Sequence, residues 1–363
     1  MNKFRLHVLG LPHTRTTKEY NACAFTQKAL KFCKMMTDRG HTVYHYGTEG
    51  SNPVCTEHIS VVSNERFDQV YGHIPKNGPY DLDNHELYHE FHANTIKEIG
   101  KRKQPHDIIL PFWGVGMKPV CDAHYDLITI EPGIGYPGNF AQYRVYESYA
   151  WMHCQVDDAN SPMWYHTIIP NYFDLEDFDY NPSQEERLKY PYFLYIGRVQ
   201  EDKGVSIAMQ VCEKLGVKLI IGGPIWDENY RNLPDWVEYV GPVDMKMRRE
   251  LMSKATASFV ASLYSEPFGG VAIENFLSGT PVISTDWGAF PETNIQGVTG
   301  YRCRTFDDFL TAALDCLDGK IKPEDCRKQG EKYSLENVAP MYEKYFQDVT
   351  NIYTGKGWYE LGN

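Results

Sequence analysis

A chain of 363 residues with 42% apolar content is too long for one small core and rich enough for two. Its formal charge of −12 argues against a nucleic-acid footprint, and it holds no run of about 18 apolar residues to cross a bilayer. Nine scattered Cys, an odd number without a C-x-x-C pair, argue against a disulfide framework or a zinc knuckle and predict free thiols in a reducing, cytoplasmic setting.

FRLHVLG (4–10) reads as a first strand rather than a secretory leader. A helix over about 20–39 follows, stopped by Gly40. HTVYHYG (41–47) and EHISVVS (57–63) read as strands, and 83–103 as a polar helix. DIILPFWG (107–114) and DLITIEPG (126–133) are short buried strands, 143–155 a helix, and WYHTIIP (164–170) a strand. The acidic, Asn/Pro-punctuated stretch 171–191 reads as an inter-domain linker. Beyond it, strands at 192–198, 217–223, 236–241, 257–264 and 280–286 alternate with helices at 205–216, 245–255 and 269–279. GVTGYR (297–302) reads as a hairpin-like segment, and 336–353 as a long amphipathic helix that closes the second domain.

Such alternation implies parallel sheets with helices on both faces. The expected fold is α/β: two Rossmann-like, doubly wound parallel-sheet domains facing each other across a cleft, where the carboxyl ends of their strands take ligands. The domains are placed at 1–169 and 170–339, with the tail at about 340–363 packing back on the first. Charge supports the division, since 1–169 carries a net −2 and the remainder −10. All thirteen His lie at or before His166, so any catalytic His comes from the first domain.

The most informative stretch is EPFGGVAIEN (266–275). Pro267 restricts Glu266 to extended geometry, and Gly269 and Gly270 let main chain approach a ligand closely. The helix that follows presents free N–H groups and about half a positive charge, which suits a phosphate. Glu274, one turn further in, suits hydroxyls. IGRVQEDKG (196–204) supplies Arg198 and Lys203, a fork and a point charge able to neutralise a diphosphate. Alone, this loop is equally compatible with a solvated β–α turn. LIIGGP (219–224), with Gly223, and YVGPV (239–243), with Val240, end at the same face.

Order and spacing then become specific. Gly197, Arg198, Lys203 and Gly204 are followed by Glu266, Pro267, Phe268, Gly269 and Glu274. Gly279, Pro281, Val282, Gly288 and Glu292 come next, then Gly297 and Gly300. This series resembles the donor-binding half of retaining glycosyltransferases of the GT-B fold, glycosyltransferase family 4. IIPNYFD (168–174) resembles that family's I-P-N-G-V-D junction, and the resemblance covers about 168–302. It implies that Arg198 and Lys203 hold the diphosphate of a nucleotide-sugar, that Glu266 faces the donor sugar and that Glu274 bonds the ribose. Phe268, Gly269, Gly270 and Val271 would supply main-chain contacts.

The first half departs from the pattern. The loop after the first strand keeps Gly10 alone as a donor-binding glycine, with Thr14, Arg15 and Thr16 nearby. Where the family often has a His, this chain has Glu131, which becomes a catalytic candidate in the loop EPGIGYPGNF (131–140). His153, His13 and Glu131 are the fallback acid–base groups. The expected activity is retaining transfer of a hexose from a nucleotide diphosphate, UDP by the family's habit, to an acceptor hydroxyl. No cofactor and no divalent metal are expected. The acceptor is a glycan, a lipid-linked sugar or a small molecule.

Two other classes stay in view. HELYHEFH (85–92) contains H-E-x-x-H, with His85, Glu86 and His89 spaced as in a zinc hydrolase. A non-catalytic nucleotide-sugar or glycan-binding protein is the second. DLD (81–83) and DFD (177–179) mimic a metal-binding D-x-D, and the basic KEIGKRKQ (97–104) reads as a solvated helix end or a peripheral membrane contact.

Overall fold

A computed structural model describes residues 2–76, 85–156 and 162–355. They fold as two compact units. The first takes the described residues up to Glu147, those between Gln155 and Tyr172, and those from Leu335 on. The second takes Ser148–Cys154 and Phe173–Ser334.

In the first unit the strands are β1 (Arg5–Leu9), β2 (Thr42–Thr48), β3 (Glu57–Val62), β4 (Ile108–Pro111), β5 (Ile128–Ile134), β6 (Tyr143–Tyr146) and β7 (Thr167–Ile168). They form one parallel sheet in the order β3-β2-β1-β4-β5-β6-β7. Its helices are α1 (Ala24–Asp38), α2 (Asn64–Tyr71), α3 (His85–Arg102) and α4 (Lys118–Ala123). The central strands are buried along nearly their whole length, as a sheet covered on both faces requires. Helix α1 buries Ala29, Phe32, Cys33 and Met36, the i, i+3, i+4, i+7 stripe of an amphipathic helix.

The second unit begins with α5 (Tyr149–Cys154) and resumes with α6 (Gln184–Lys189) and α7 (Val205–Leu215). It continues with α8 (Met245–Lys254), α9 (Gly270–Leu277), α10 (Phe290–Thr293), α11 (Phe306–Leu317) and α12 (Pro323–Glu331). Its strands are β8 (Tyr192–Ile196), β9 (Lys218–Gly222), β10 (Val237–Gly241), β11 (Ala257–Val260), β12 (Val282–Thr285) and β13 (Gly300–Cys303). They too are all parallel, ordered β10-β9-β8-β11-β12-β13. In both sheets the order reverses beside the first strand, between β1 and β4 and between β8 and β11. Sheets of this kind take ligands outside the carboxyl ends at that point.

The last helix, α13 (Leu335–Tyr353), places Tyr342, Phe346 and Val349 in the core of the first unit. Phe32 meets Tyr342 edge-on at 5.3 Å, and Glu343 accepts from Arg39 at 2.7 Å and His41 at 3.0 Å. The helix therefore closes the first unit, not the second, because its apolar stripe faces the aromatic side of α1.

Other expectations are corrected. Residues 143–155 are not one helix: Tyr-Arg-Val-Tyr alternates and pairs as β6 between β5 and β7, and only 149–154 coil. The segment 297–302 is no hairpin, since β13 runs parallel to β12. The stretch 171–191 is not a loose linker. Arg187 of α6 is buried and donates to the carbonyls of Ala255 (2.8 Å), Ser278 (2.6 Å) and Asn181 (3.0 Å), and to Thr280 Oγ1 (2.6 Å). An acidic, Asn/Pro-punctuated composition hid one side chain that ties the segment to the end of α8 and to the turn after α9.

The first unit also buries neutral imidazoles. Burial pulls His13 down to a pKa of about 4 and His45, beside His58, to about 3, against an ordinary 6.5. Between those values the unfolded chain takes up protons that the folded chain refuses. Stability is therefore complete above about pH 6.5 and falls as pH drops towards 4. Thermal melts at pH 7.0 and 5.0 should show this loss, and His45→Gln should flatten part of the slope.

Candidate functional site

The site is built at the carboxyl end of the second sheet. Gly197 and Arg198 leave β8, Ser262 to Glu266 follow β11, and Gly269–Val271 open α9. Gly197, Lys203, Ser262, Glu266, Gly269, Gly270 and Val271 line one pocket. Lys203 Nζ lies 2.9 Å from Glu266 Oε2, and Ser262 Oγ donates to the same oxygen at 2.6 Å. Lys203 also sits 4.7 Å from the centre of the Tyr264 ring. A cation, a carboxylate and a hydroxyl are thus held together where the sheet order reverses.

Two glycines make this possible. Gly204, just after Lys203, has φ +71°, and a Cβ there would stand 2.1 Å from the Ala261 carbonyl oxygen. The 197–204 loop can therefore touch the strand end directly, and the Leu263 N–H reaches the Asp202 carbonyl at 2.8 Å. Gly269 has φ +73°, with no room for a Cβ against Phe290. It begins α9 without any side-chain cap, so the helix offers its first N–H groups to the pocket.

Arg198 follows the pocket-lining Gly197 in the chain but is not itself among the lining residues. Its guanidinium carbon is 4.7 Å from the centre of the Trp226 ring, and its carbonyl accepts from Tyr195 Oη at 2.7 Å. The 224–227 loop is zipped to Val199 by three main-chain bonds of 2.8, 3.1 and 3.3 Å, which sets Trp226 opposite Arg198. Val240, like Val271, packs on the small core of Leu194, Ile196, Ile220, Met252 and Ala255, and the Gly223 carbonyl accepts from Tyr239 Oη at 2.8 Å. Phe268 turns its ring into the core against Phe173 and Tyr333, leaving only its main chain for ligand contact.

Glu274, expected to meet a ribose, is paired with Arg248 of α8. Glu292 accepts from the N–H groups of Tyr149 (3.0 Å) and Ala150 (2.8 Å), so it caps α5 and docks that short helix on the second unit. Ser148 Oγ donates to the Pro267 carbonyl at 2.6 Å, securing the same segment to the site loop.

Candidates of the first unit are occupied with its own fold. Glu131 is fully buried, and its Oε2 accepts from Phe140 N and Ala141 N, both at 2.8 Å. Burial raises its pKa, although those two N–H groups oppose the shift. It acts as the organiser of the 135–141 loop, a role its isolated place in the sequence did not reveal. Gly10 is buried beside the Tyr46 carbonyl and donates to it at 2.7 Å. Thr14 bonds Thr26, Thr16 bonds His45, and Arg15 reaches Asn64 and Asp68. His13 is buried edge-on against Trp113, whereas His153, expected in the first domain, falls in the second unit, exposed on α5.

The decoys resolve similarly. Glu86 and His89 lie on the exposed face of α3, Glu86 near Arg66 at 3.5 Å, while Leu87 and Phe91 face the core; the His85 side chain lies outside the described residues. Among the described residues no group of three His, Cys, Asp or Glu is placed to hold a metal ion. DLD (81–83) falls outside the described residues, and Asp177 and Asp179 of DFD face Arg249. Lys101, Arg102 and Lys103 pair with Glu98, Glu57 and Asp126. No helix among the described residues is long and apolar enough to cross a membrane.

Residues 177–333 match the family model described as glycosyl transferases group 1. That stretch of the chain belongs to this family. Over 200 residues the chain is 28% identical to the phosphatidylinositol N-acetylglucosaminyltransferase gpi3 subunit of Schizosaccharomyces pombe, covering 50% of this chain and 43% of that protein. It is 29% identical over 153 residues to a glycogen synthase of Mycobacterium tuberculosis, covering 39% and 36%. The chain thus spans less than half the length of these two relatives. Among solved structures, Anabaena HepE in complex with UDP and glucose superposes with a TM-score of 0.67 at 14% identity, covering 95% and 99% of the two chains. At that identity the likeness is one of fold, the GT-B pair of Rossmann-like units.

The loop geometry gives a stability test. Gly204→Ala combines a left-handed residue with a main-chain clash and should cost ~2 kcal/mol or more. Urea unfolding followed by tryptophan emission would read the loss, whereas Gly216→Ala, at a left-handed position open around its Cβ, should cost about 1–2 kcal/mol.

Proposed function

We propose that the chain transfers a hexose from a UDP-sugar to an acceptor hydroxyl with retention of configuration and without a divalent metal. One observation carries this reading: Lys203, Glu266 and the uncapped start of α9 line a single pocket, and Arg198 is the next residue after the pocket-lining Gly197. The group 1 family match and the nucleotide named in the HepE complex support the donor class. Glycan and lipid-linked acceptors are in keeping with the names of the curated relatives.

Breaking the glycosyl–phosphate bond builds negative charge on the departing diphosphate. Lys203, Arg198 and the α9 amides are the groups that stabilise it, doing electrostatically what a bound cation does elsewhere. In the unliganded pocket Glu266 neutralises Lys203, so an entering phosphate exchanges one anionic partner for another rather than meeting a bare charge. Glu266 is then free to accept from the donor sugar's hydroxyls, with Ser262 fixing its orientation. A front-face route, in which the departing phosphate helps deprotonate the acceptor, needs no dedicated base and gives retention.

A thermal-shift panel of nucleotide-sugars tests the donor, since a ligand at 100 times its Kd adds about 2.7 kcal/mol of stability. UDP-hexoses should give the largest shift, unchanged by chelator. Arg198→Ala and Lys203→Ala should each lower kcat about 100-fold or more. Tight donor binding with no transfer to any acceptor would instead support a binding protein.

Trp226 contributes by holding Arg198. An exposed cation–π contact is worth about 0.5–1 kcal/mol. Trp226→Ala should therefore raise the KM for donor about 2- to 5-fold with little change in the affinity for uridine, which lacks the diphosphate. Trp226→Phe should recover part of it.

A further inference from the structure

A cavity of about 230 Å³ opens in the first unit beside the ends of β4 and β5. Its walls are Phe25 from α1, the Trp113–Gly116 turn after β4 and the Tyr136–Gly138 turn after β5. Its walls follow β1, β4 and β5, so it opens at the carboxyl end of the first sheet, next to the strand at which the order reverses.

Its chemistry is different. No charged side chain lines it, and its one side-chain hydroxyl, that of Tyr136, is directed to Glu131 Oε1 at 3.4 Å. What faces the cavity is ring and hydrocarbon. Tyr136 and Phe25 meet edge-on, 5.3 Å between centroids, and Trp113 is held edge-on by His13 at 5.0 Å and Tyr88 at 5.3 Å. Val115 N–H donates to the Gly138 carbonyl at 3.0 Å, stapling the two turns into one wall. These walls are built and supported, not left over.

Size and polarity decide the occupant. An apolar cavity of about 150 Å³ accommodates benzene, so this one has room for a six-membered ring with small substituents. A pyranose would leave hydroxyls unpaired against these walls, and a phosphate would find no cation among the lining residues, the Lys28 ammonium behind Phe25 being paired with Glu147. We infer that the pocket binds a flat, uncharged aryl ring, and that this ring belongs to the acceptor; the second clause rests on the glycosyl-transfer reading above.

Titration calorimetry on the whole chain tests this with phenyl β-glucoside, methyl β-glucoside and glucose 6-phosphate. Phenyl β-glucoside should bind at least about 10-fold more tightly than its methyl counterpart, the range expected for burying one ring. Phe25→Ala, and independently Val115→Asp at the exposed rim, should abolish that preference while UDP affinity is kept. Equal affinities for the phenyl and methyl glucosides, or tighter binding of the sugar phosphate, would overturn the proposal. An intact aryl preference in a chain that binds no nucleotide would keep the pocket and remove the glycosyl-transfer reading instead.

Discussion

Lys203 and Glu266 meet at 2.9 Å across two loops that leave different strands. Everything else in the second unit's pocket is arranged around that pair. Gly204 lets one loop reach the other, Ser262 fixes the carboxylate, and the Tyr264 ring lies beside the ammonium. The pair is only partly shielded, so its own contribution to stability is modest. Its value is chemical: it stores a cation beside an uncapped helix start without leaving that charge unbalanced.

The second unit was the more legible half. Its site loops are short, follow strands directly and carry residues whose physics is local: Arg, Lys, Pro and paired Gly. Arg198, Lys203, Glu266 and the 269–271 turn were all recognisable from order and spacing. Arg248 and Trp226 were not, because nothing in MKMRRELMSK or GGPIWDE marks which side chain will meet Glu274 or Arg198. Arg248 meets Glu274 only through the packing of α8 on α9, and Trp226 meets Arg198 only through a bridge between loops. Glu292 shows the converse. Its motif position was evident, but its work as a cap for α5 depends on a segment 142 residues earlier in the chain.

The first unit was harder to read because its polar groups face inward. Glu131 looked like a catalytic carboxylate in a glycine-rich loop, yet one of its oxygens takes two main-chain N–H groups of that loop and the other the Tyr136 hydroxyl. Its His residues are likewise partnered or buried structural groups in large part. Alternation over the four residues of β6 was too brief to separate from the helix that follows, and α2 and α4 escaped because short polar helices carry little periodicity. Both sheets nevertheless followed from simple strand–helix alternation, which survives errors of several residues at each boundary.

The placement of α13 has a consequence for biosynthesis. Nascent domains generally complete themselves in the order in which they leave the ribosome. Here the amino-terminal half emerges first but lacks Tyr342, Phe346 and Val349, which arrive only with the last helix. The first sheet must wait, its aromatic side uncovered, until 335–353 has been made, and that segment follows the whole of the second unit, which has all its parts sooner.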